Sequence, residues 1–161
     1  MYLICDFDGT IIKNDFFEEQ YFKLLLEQPW LIVHHCFQNN GLLRLKHRLL
    51  DDYSPEYNLD FIFNQNLINW IKENSKNYHE TLLISASPDS FVKRIAEPMA
   101  IFDKIYGSLN NNLKGIKKLQ FIKESGLFPF SYIGDSSADS PIFDAAINAY
   151  LVTYNEIKKL K

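Results

Sequence analysis

The feature that most constrains the fold is a series of short apolar runs, each closed by polar turn residues and most followed by a stretch with helical spacing. The first is Tyr2 to Cys5, which ends abruptly in Asp-Phe-Asp-Gly-Thr. The second is Thr81 to Ile84, closed by Ser-Ala-Ser-Pro-Asp-Ser. A weaker third spans Phe102 to Tyr106, and a fourth, Phe130 to Ile133, is closed by Gly-Asp-Ser-Ser-Ala-Asp-Ser-Pro. Tyr150 to Val152 is a short fifth. Runs of this length without polar alternation suit strands buried on both faces. Helical patterns follow: Ser90 to Ala100, capped by Ser90 or Asp89; Ile116 to Ser125, stopped by Gly126; and Pro141 to Ala149, opened by proline. Strand–helix alternation of this kind predicts an α/β protein, a Rossmann-like parallel sheet of about five strands with flanking helices.

One region breaks the alternation. From Ile11 to His79 the spacing is helical: Phe17, Tyr21 and Leu24; Leu42, Leu45 and Leu49; then an amphipathic stretch from Leu59 to Lys76. The simplest organisation is a core made of residues 1–14 and 80–161, with residues 15–79 inserted after the first strand as a small helical unit. The hydrophobic share of 47% is enough for a packed core and argues against disorder.

Composition also narrows the function. A net charge of −3 and a pI near 5.8 disfavour nucleic acid as the main partner, because binding a phosphate backbone needs a positive field. Two cysteines, Cys5 and Cys36, make no disulfide framework and suit a reducing compartment. Cys5 reads as a small buried hydrophobe. The first residues carry no basic segment before Asp6 and Asp8, so no leader peptide is expected. The stretch Pro29 to Leu43 contains His34, His35, Gln38, Asn39 and Asn40, too polar for stable membrane insertion. A cytoplasmic protein is expected; the oligomeric state is not readable.

The acidic residues fall where chemistry is expected. Asp6 and Asp8 follow the first strand; Asp135 and Asp139 follow the fourth. Open α/β sheets bind ligands beyond the carboxyl ends of their strands. If those two strands are neighbours, four carboxylates converge, and like charges so crowded need a cation. An all-oxygen ligand set points to Mg²⁺. The plainer reading, four separate turn or N-cap aspartates, accounts for any one of them better than for all four.

The motifs DFDGT and GDSSAD resemble the first and fourth signatures of the haloacid dehalogenase superfamily. Ser85, after the second strand, and Lys114, near the helix after the third, complete the set in order. Together the stretches SASP, NLKG and GDSSAD are similar to phosphoserine-phosphatase-like members and to the domains of this superfamily fused to prenyltransferases. This resemblance implies an Mg²⁺-dependent phosphohydrolase, a phosphomonoesterase acting on a small phosphorylated metabolite. Asp6 would attack phosphorus and form an aspartyl-phosphate. Asp8 would serve as acid and base; its presence argues for phosphate chemistry over dehalogenation. The metal would be held by Asp6, Asp135 and the backbone carbonyl of Asp8, with Asp139 fixing metal-bound water. Ser85 and Lys114 would complete the catalytic set, with Lys117 and Lys118 as rivals for the lysine's place and Ser87 for the serine's. Phe7, Gly9, Thr10, Ala86 and Ser87 would surround the phosphate.

The insertion resembles the cap that many members carry over the site. Asp15, Glu18 and Glu19 are placed to face the pocket. Arg44, Lys46, His47 and Arg48 read either as an anion-binding lip or as the solvated face of a helix, and the second reading is the simpler. His34 and His35 lack metal-ligand spacing. Pro29, Trp30 and the phenylalanines near Phe16 suit a cap core, although a lipid-like phosphate substrate remains compatible. Two rivals to the hydrolase reading are a phosphotransferase or phosphomutase, in which a hydroxyl replaces water, and a non-catalytic phosphate- or metal-binding module. A vacant Asp8 or Asp135 position would have marked the latter.

Overall fold

A computed structural model describes residues 1–13, 26, 30, 61–109, 112–153 and 156–161. Among them lies one six-stranded sheet. Its strands are β1 (Tyr2–Cys5), β2 (Thr81–Pro88), β3 (Lys104–Ser108), β4 (Phe130–Gly134), β5 (Asn148–Val152) and β6 (Ile157–Lys159), in the order β3-β2-β1-β4-β5-β6. The first five are parallel and β6 runs antiparallel to β5. The Rossmann-like α/β expectation therefore holds, with one strand more than the sequence suggested.

Among the described residues, the helices α1 (Gln65–Asn74), α2 (Asp89–Ala96), α3 (Ile116–Glu124) and α4 (Ser140–Ala145) accompany the sheet. The pleat sends alternate strand residues to opposite faces. Leu3, Cys5, Leu83, Ile133 and Val152 meet Leu67 and Ile71 of α1 and Phe91, Val92 and Ala96 of α2. Ile4, Leu82, Ile84, Tyr132 and Ala149 meet Leu119 and Ile122 of α3 and Ile142 and Phe143 of α4. β1 is thus covered on both sides, which explains its unbroken apolar run.

Several boundaries differ from the sequence reading. β2 continues through Ser85 to Pro88, and its register with β3 shifts between Ile84 and Pro88. α2 starts at Asp89, whose carboxylate does not cap the helix but accepts the Gly107 N–H at 2.9 Å. The helix expected to reach Ala149 stops at Ala145. Ala146 is extended and β5 begins at Asn148, because Ala149 and Val152 fill opposite faces of the sheet better than one helical stripe.

Most of the expected insertion, 15–79, falls on residues that the structure does not describe. Residues 14–25, 27–29 and 31–60 lie outside the described residues, and with them Asp15, Glu18, Glu19, His34, His35 and the basic residues from Arg44 to Arg48. The described part, Gln65–Asn74, is α1, and it buries Leu67 and Ile71 on the sheet as part of the core. Asn64 caps it, its Oδ1 accepting the Leu67 N–H at 3.2 Å. The chain leaves and returns side by side: Ile12 bridges Phe63, with Lys13 N–H to Ile62 O at 2.8 Å and Asn64 N–H to Ile11 O at 2.9 Å. No described helix is long and apolar enough to cross a membrane.

Candidate active site

The register of β1 with β4 builds the site. Cys5 pairs with both Leu83 and Ile133, so the next residue, Asp6, emerges at the carboxyl edge of the sheet. Its N–H still donates to Ile133 O at 2.9 Å, anchoring the backbone there. Asp135 follows Gly134, the last residue of β4. A tight turn, Ser137–Asp139, then brings Asp139 back toward the strand. The Ser136 hydroxyl holds that turn by accepting the Ala138 N–H at 3.1 Å. Asp6, Asp135 and Asp139 each place a carboxylate oxygen within 4.8 Å of the others.

Two glycines make this approach possible. A Cβ on Gly9 would lie 2.2 Å from Asp135 Oδ2, and Gly9 has φ of +70°, which only glycine adopts without strain. A Cβ on Gly134 would lie 2.7 Å from Asp139 Oδ2. The loop at Gly9 is tied back by Thr10, Ile11 and Ile12, whose N–H groups all donate to Phe7 O. Thr10 reaches across to donate to Asp135 Oδ1 at 3.2 Å.

The cation facing this cluster is Lys118, which corrects the preference for Lys114. Lys118 Nζ lies 2.9 Å from Asp6 Oδ1 and 3.8 Å from Asp139 Oδ1. Lys118 is 1% exposed, whereas Lys114 precedes α3 and, like Lys117, faces solvent. The physical reason is helix phase. Lys118 shares the buried stripe of α3 with Leu119 and Ile122, and the site lies at the end of that stripe. Phe7 turns its side chain into the core, edge-to-face with Phe91, while its N–H donates to Asp6 Oδ1 at 2.8 Å and so shapes the Asp6 loop.

Asp8 belongs to a different neighbourhood. Its Oδ2 accepts the Ser87 hydroxyl at 2.6 Å and the Ser85 hydroxyl at 3.3 Å, and its carboxylate is not in the three-acid cluster. Ser85 Oγ also accepts the Ser87 N–H at 2.9 Å. Ser108, which the sequence reading missed, donates to Ala86 O at 2.9 Å and accepts the Leu113 N–H at 3.0 Å, pinning the end of β2. A cleft of about 300 Å³ adjoins the cluster, lined by Gly9, Lys13, Asn64, Asp135, Val152 and Thr153.

Burial and mutual repulsion dominate the electrostatics of the cluster. Burial, and then the neighbouring charge of Asp6, raise the Asp139 carboxyl to about 7, partly offset by Lys118. The same two causes, in the same order, raise Asp135. Asp139 Oδ2 is buried with no hydrogen-bond partner among the described residues. Among the described residues, Lys118 is the ammonium paired with carboxylates of this cluster. The donors are all oxygens, so the set fits a hard divalent cation such as Mg²⁺.

Comparison with known proteins supports the architecture. No family model matches the sequence. The uncharacterized protein y4nM of Sinorhizobium fredii is 32% identical over 154 residues, covering 93% of this chain; the chain spans 29% of that protein's length. A phosphoserine phosphohydrolase-like protein from Francisella tularensis superposes with a TM-score of 0.62 at 16% identity, over 96% of this chain and 88% of its own. A haloacid dehalogenase-like family hydrolase from Streptococcus pneumoniae gives a TM-score of 0.60 at 16% identity, over 95% and 84% of the two chains. The chain thus has the fold of the haloacid dehalogenase-type hydrolases.

Proposed function

We propose that this chain is a Mg²⁺-dependent phosphomonoesterase that acts on a small phosphorylated metabolite through an aspartyl-phosphate on Asp6. The observation that carries this reading is the triple contact around Asp6. Its carboxylate has an ammonium 2.9 Å away and oxygens of two further carboxylates within 4.8 Å. That arrangement suits an oxygen that must approach an anionic phosphoryl group, since its charge is masked and its direction fixed.

In this reading Asp6 attacks phosphorus and the bond to the leaving oxygen breaks. Asp8, held by Ser85 and Ser87, delivers a proton to that oxygen. Asp8 then takes a proton from water as the water oxygen attacks phosphorus. The bond from phosphorus to Asp6 breaks, releasing inorganic phosphate, freeing the Asp6 carboxylate and leaving Asp8 protonated as at the start. Mg²⁺, when held by Asp6 and Asp135 with Asp139 beside them, would neutralise the phosphoryl charge. Lys118 supplies a fixed positive charge beside the attacking oxygen.

The cap belongs to the same proposal. The expected insertion, 15–79, begins shortly after the bridge that Ile12 makes with Phe63, one loop away from Asp6. In this reading the insertion serves as a cap that closes over the site and excludes water. The likeness to a phosphoserine phosphohydrolase-like fold supports a small phosphorylated substrate. The test is direct. Purified protein should hydrolyse an aryl phosphate with Mg²⁺ present and lose that activity in EDTA, with recovery on adding Mg²⁺ back. Turnover that ignores EDTA would sink the metal part of the reading.

A further inference from the structure

Tyr132 is a large polar side chain at the centre of β4 with no exposed surface. Buried hydroxyls need partners, and this one faces two groups of the site, the Lys118 ammonium and the Asp139 carboxyl. Its oxygen accepts a hydrogen bond from Lys118 Nζ at 3.1 Å. The same ammonium lies 2.9 Å from Asp6 and 3.8 Å from Asp139. Lys118 therefore stands between two carboxylates that compete for it.

A lysine side chain has several rotatable bonds and three N–H donors. Nothing in the lysine itself chooses Asp6 over Asp139. The phenol can make that choice because it is fixed. Its ring lies edge-to-face on Phe143, centroids 5.4 Å apart at 69°. On another side it abuts Gly134, where a Cβ would come within 2.8 Å of Tyr132 Cε1. The glycine of the acidic loop thus makes room for both Asp139 and the tyrosine ring.

We propose that Tyr132 is a positioning residue whose hydroxyl holds the Lys118 ammonium against Asp6 instead of Asp139. The proposal rests on the phosphohydrolase reading, since it assigns Lys118 the task of masking the nucleophile's charge. Removing the hydroxyl leaves one N–H of a buried ammonium without its partner, and the ammonium then divides its time between the two carboxylates.

The test is Tyr132→Phe, which keeps the ring and its contact with Phe143. The expected result is a kcat lower by about tenfold, as for one hydrogen bond to a charged group, with KM for an aryl phosphate essentially unchanged. A packing role and a positioning role separate in a second background. In Lys118→Met the same tyrosine change should lower kcat no further, since there is no ammonium left to place. An equal fold loss in both backgrounds would assign Tyr132 to packing and overturn the proposal. So would a Tyr132→Phe enzyme with wild-type kcat. If the wild-type protein hydrolyses no phosphomonoester at all, the parent reading falls and this proposal falls with it; an active wild type with an unaffected variant overturns the positioning role alone.

Discussion

The two faces of the sheet are packed by different rules. The face under α1 and α2 is closed by apolar side chains throughout: Leu3, Cys5, Leu83 and Ile133 against Leu67, Ile71, Phe91 and Val92. The face under α3 and α4 has an equally apolar centre but takes in Lys118, Tyr132 and Asp139 near the carboxyl edge. A buried charge is costly unless it is paired and hydrogen-bonded. Here the pairing exists only because β1 and β4 are neighbours and end together, which brings Asp6 within reach of Lys118. One face is held by area removed from water; the other gives up some of that area to hold a charge where the chemistry is proposed.

Substitutions on the two faces should therefore fail differently. The largest effect on turnover is expected for Lys118→Met. Removing the fixed cation beside Asp6 should lower kcat about a hundredfold and, by leaving buried carboxylates uncompensated, lower stability by about 3 kcal/mol. Steady-state kinetics and chemical denaturation read these separately. On the opposite face Leu67→Ala should cost a similar ~3 kcal/mol, since it empties a fully buried site in the core. Its kcat per folded molecule should stay at the wild-type value. A Leu67→Ala enzyme crippled in turnover while fully folded would break the contrast between the faces.

The smallest effect is a pH dependence confined to the charged face. The Asp139 carboxyl is raised from 3.8 to about 7 by burial and by Asp6. Between those two values the folded protein binds more protons than the unfolded chain, so stability falls as pH rises. Metal-free protein should lose stability as pH climbs from about 4 to 7, and Mg²⁺ should flatten that loss by binding only the folded form. Leu67→Ala should lower the whole curve without changing its slope over that pH range, because it removes only apolar packing. Thermal melts across pH, with and without Mg²⁺, make the comparison.

Much of this was legible in the sequence, for physical reasons. A strand covered on both faces must be apolar throughout, so β1, β2 and β4 stood out, and the acids had to follow their ends. The Ser85 and Ser87 pair was visible as residue types, but not its target, Asp8. Lys118 was harder. Three lysines fall within five residues, and only the phase of α3, set by Leu119 and Ile122, turns one of them inward. Lys114 fitted a motif but precedes the helix. Tyr132 read as one more apolar strand residue, because nothing local shows that its hydroxyl meets a lysine 14 residues earlier. The strand β6, Ile157–Lys159, is three residues long with two lysines exposed at an edge, so it carries almost no apolar signal. The boundary between α4 and β5 was blurred by alanines that suit either.

The central claim is that Asp6 offers an oxygen to phosphorus, and it can be tested by catching the covalent product. An aryl leaving group departs with little help from an acid, whereas release of phosphate from Asp6 needs the base. Asp8→Asn protein mixed with an aryl phosphate and Mg²⁺, then quenched in acid, should carry a phosphoryl group on the peptide containing Asp6, read by mass spectrometry. The added Asp6→Asn change should abolish that label. A phosphoryl group found on another residue, or label that persists without the Asp6 carboxylate, would contradict the account.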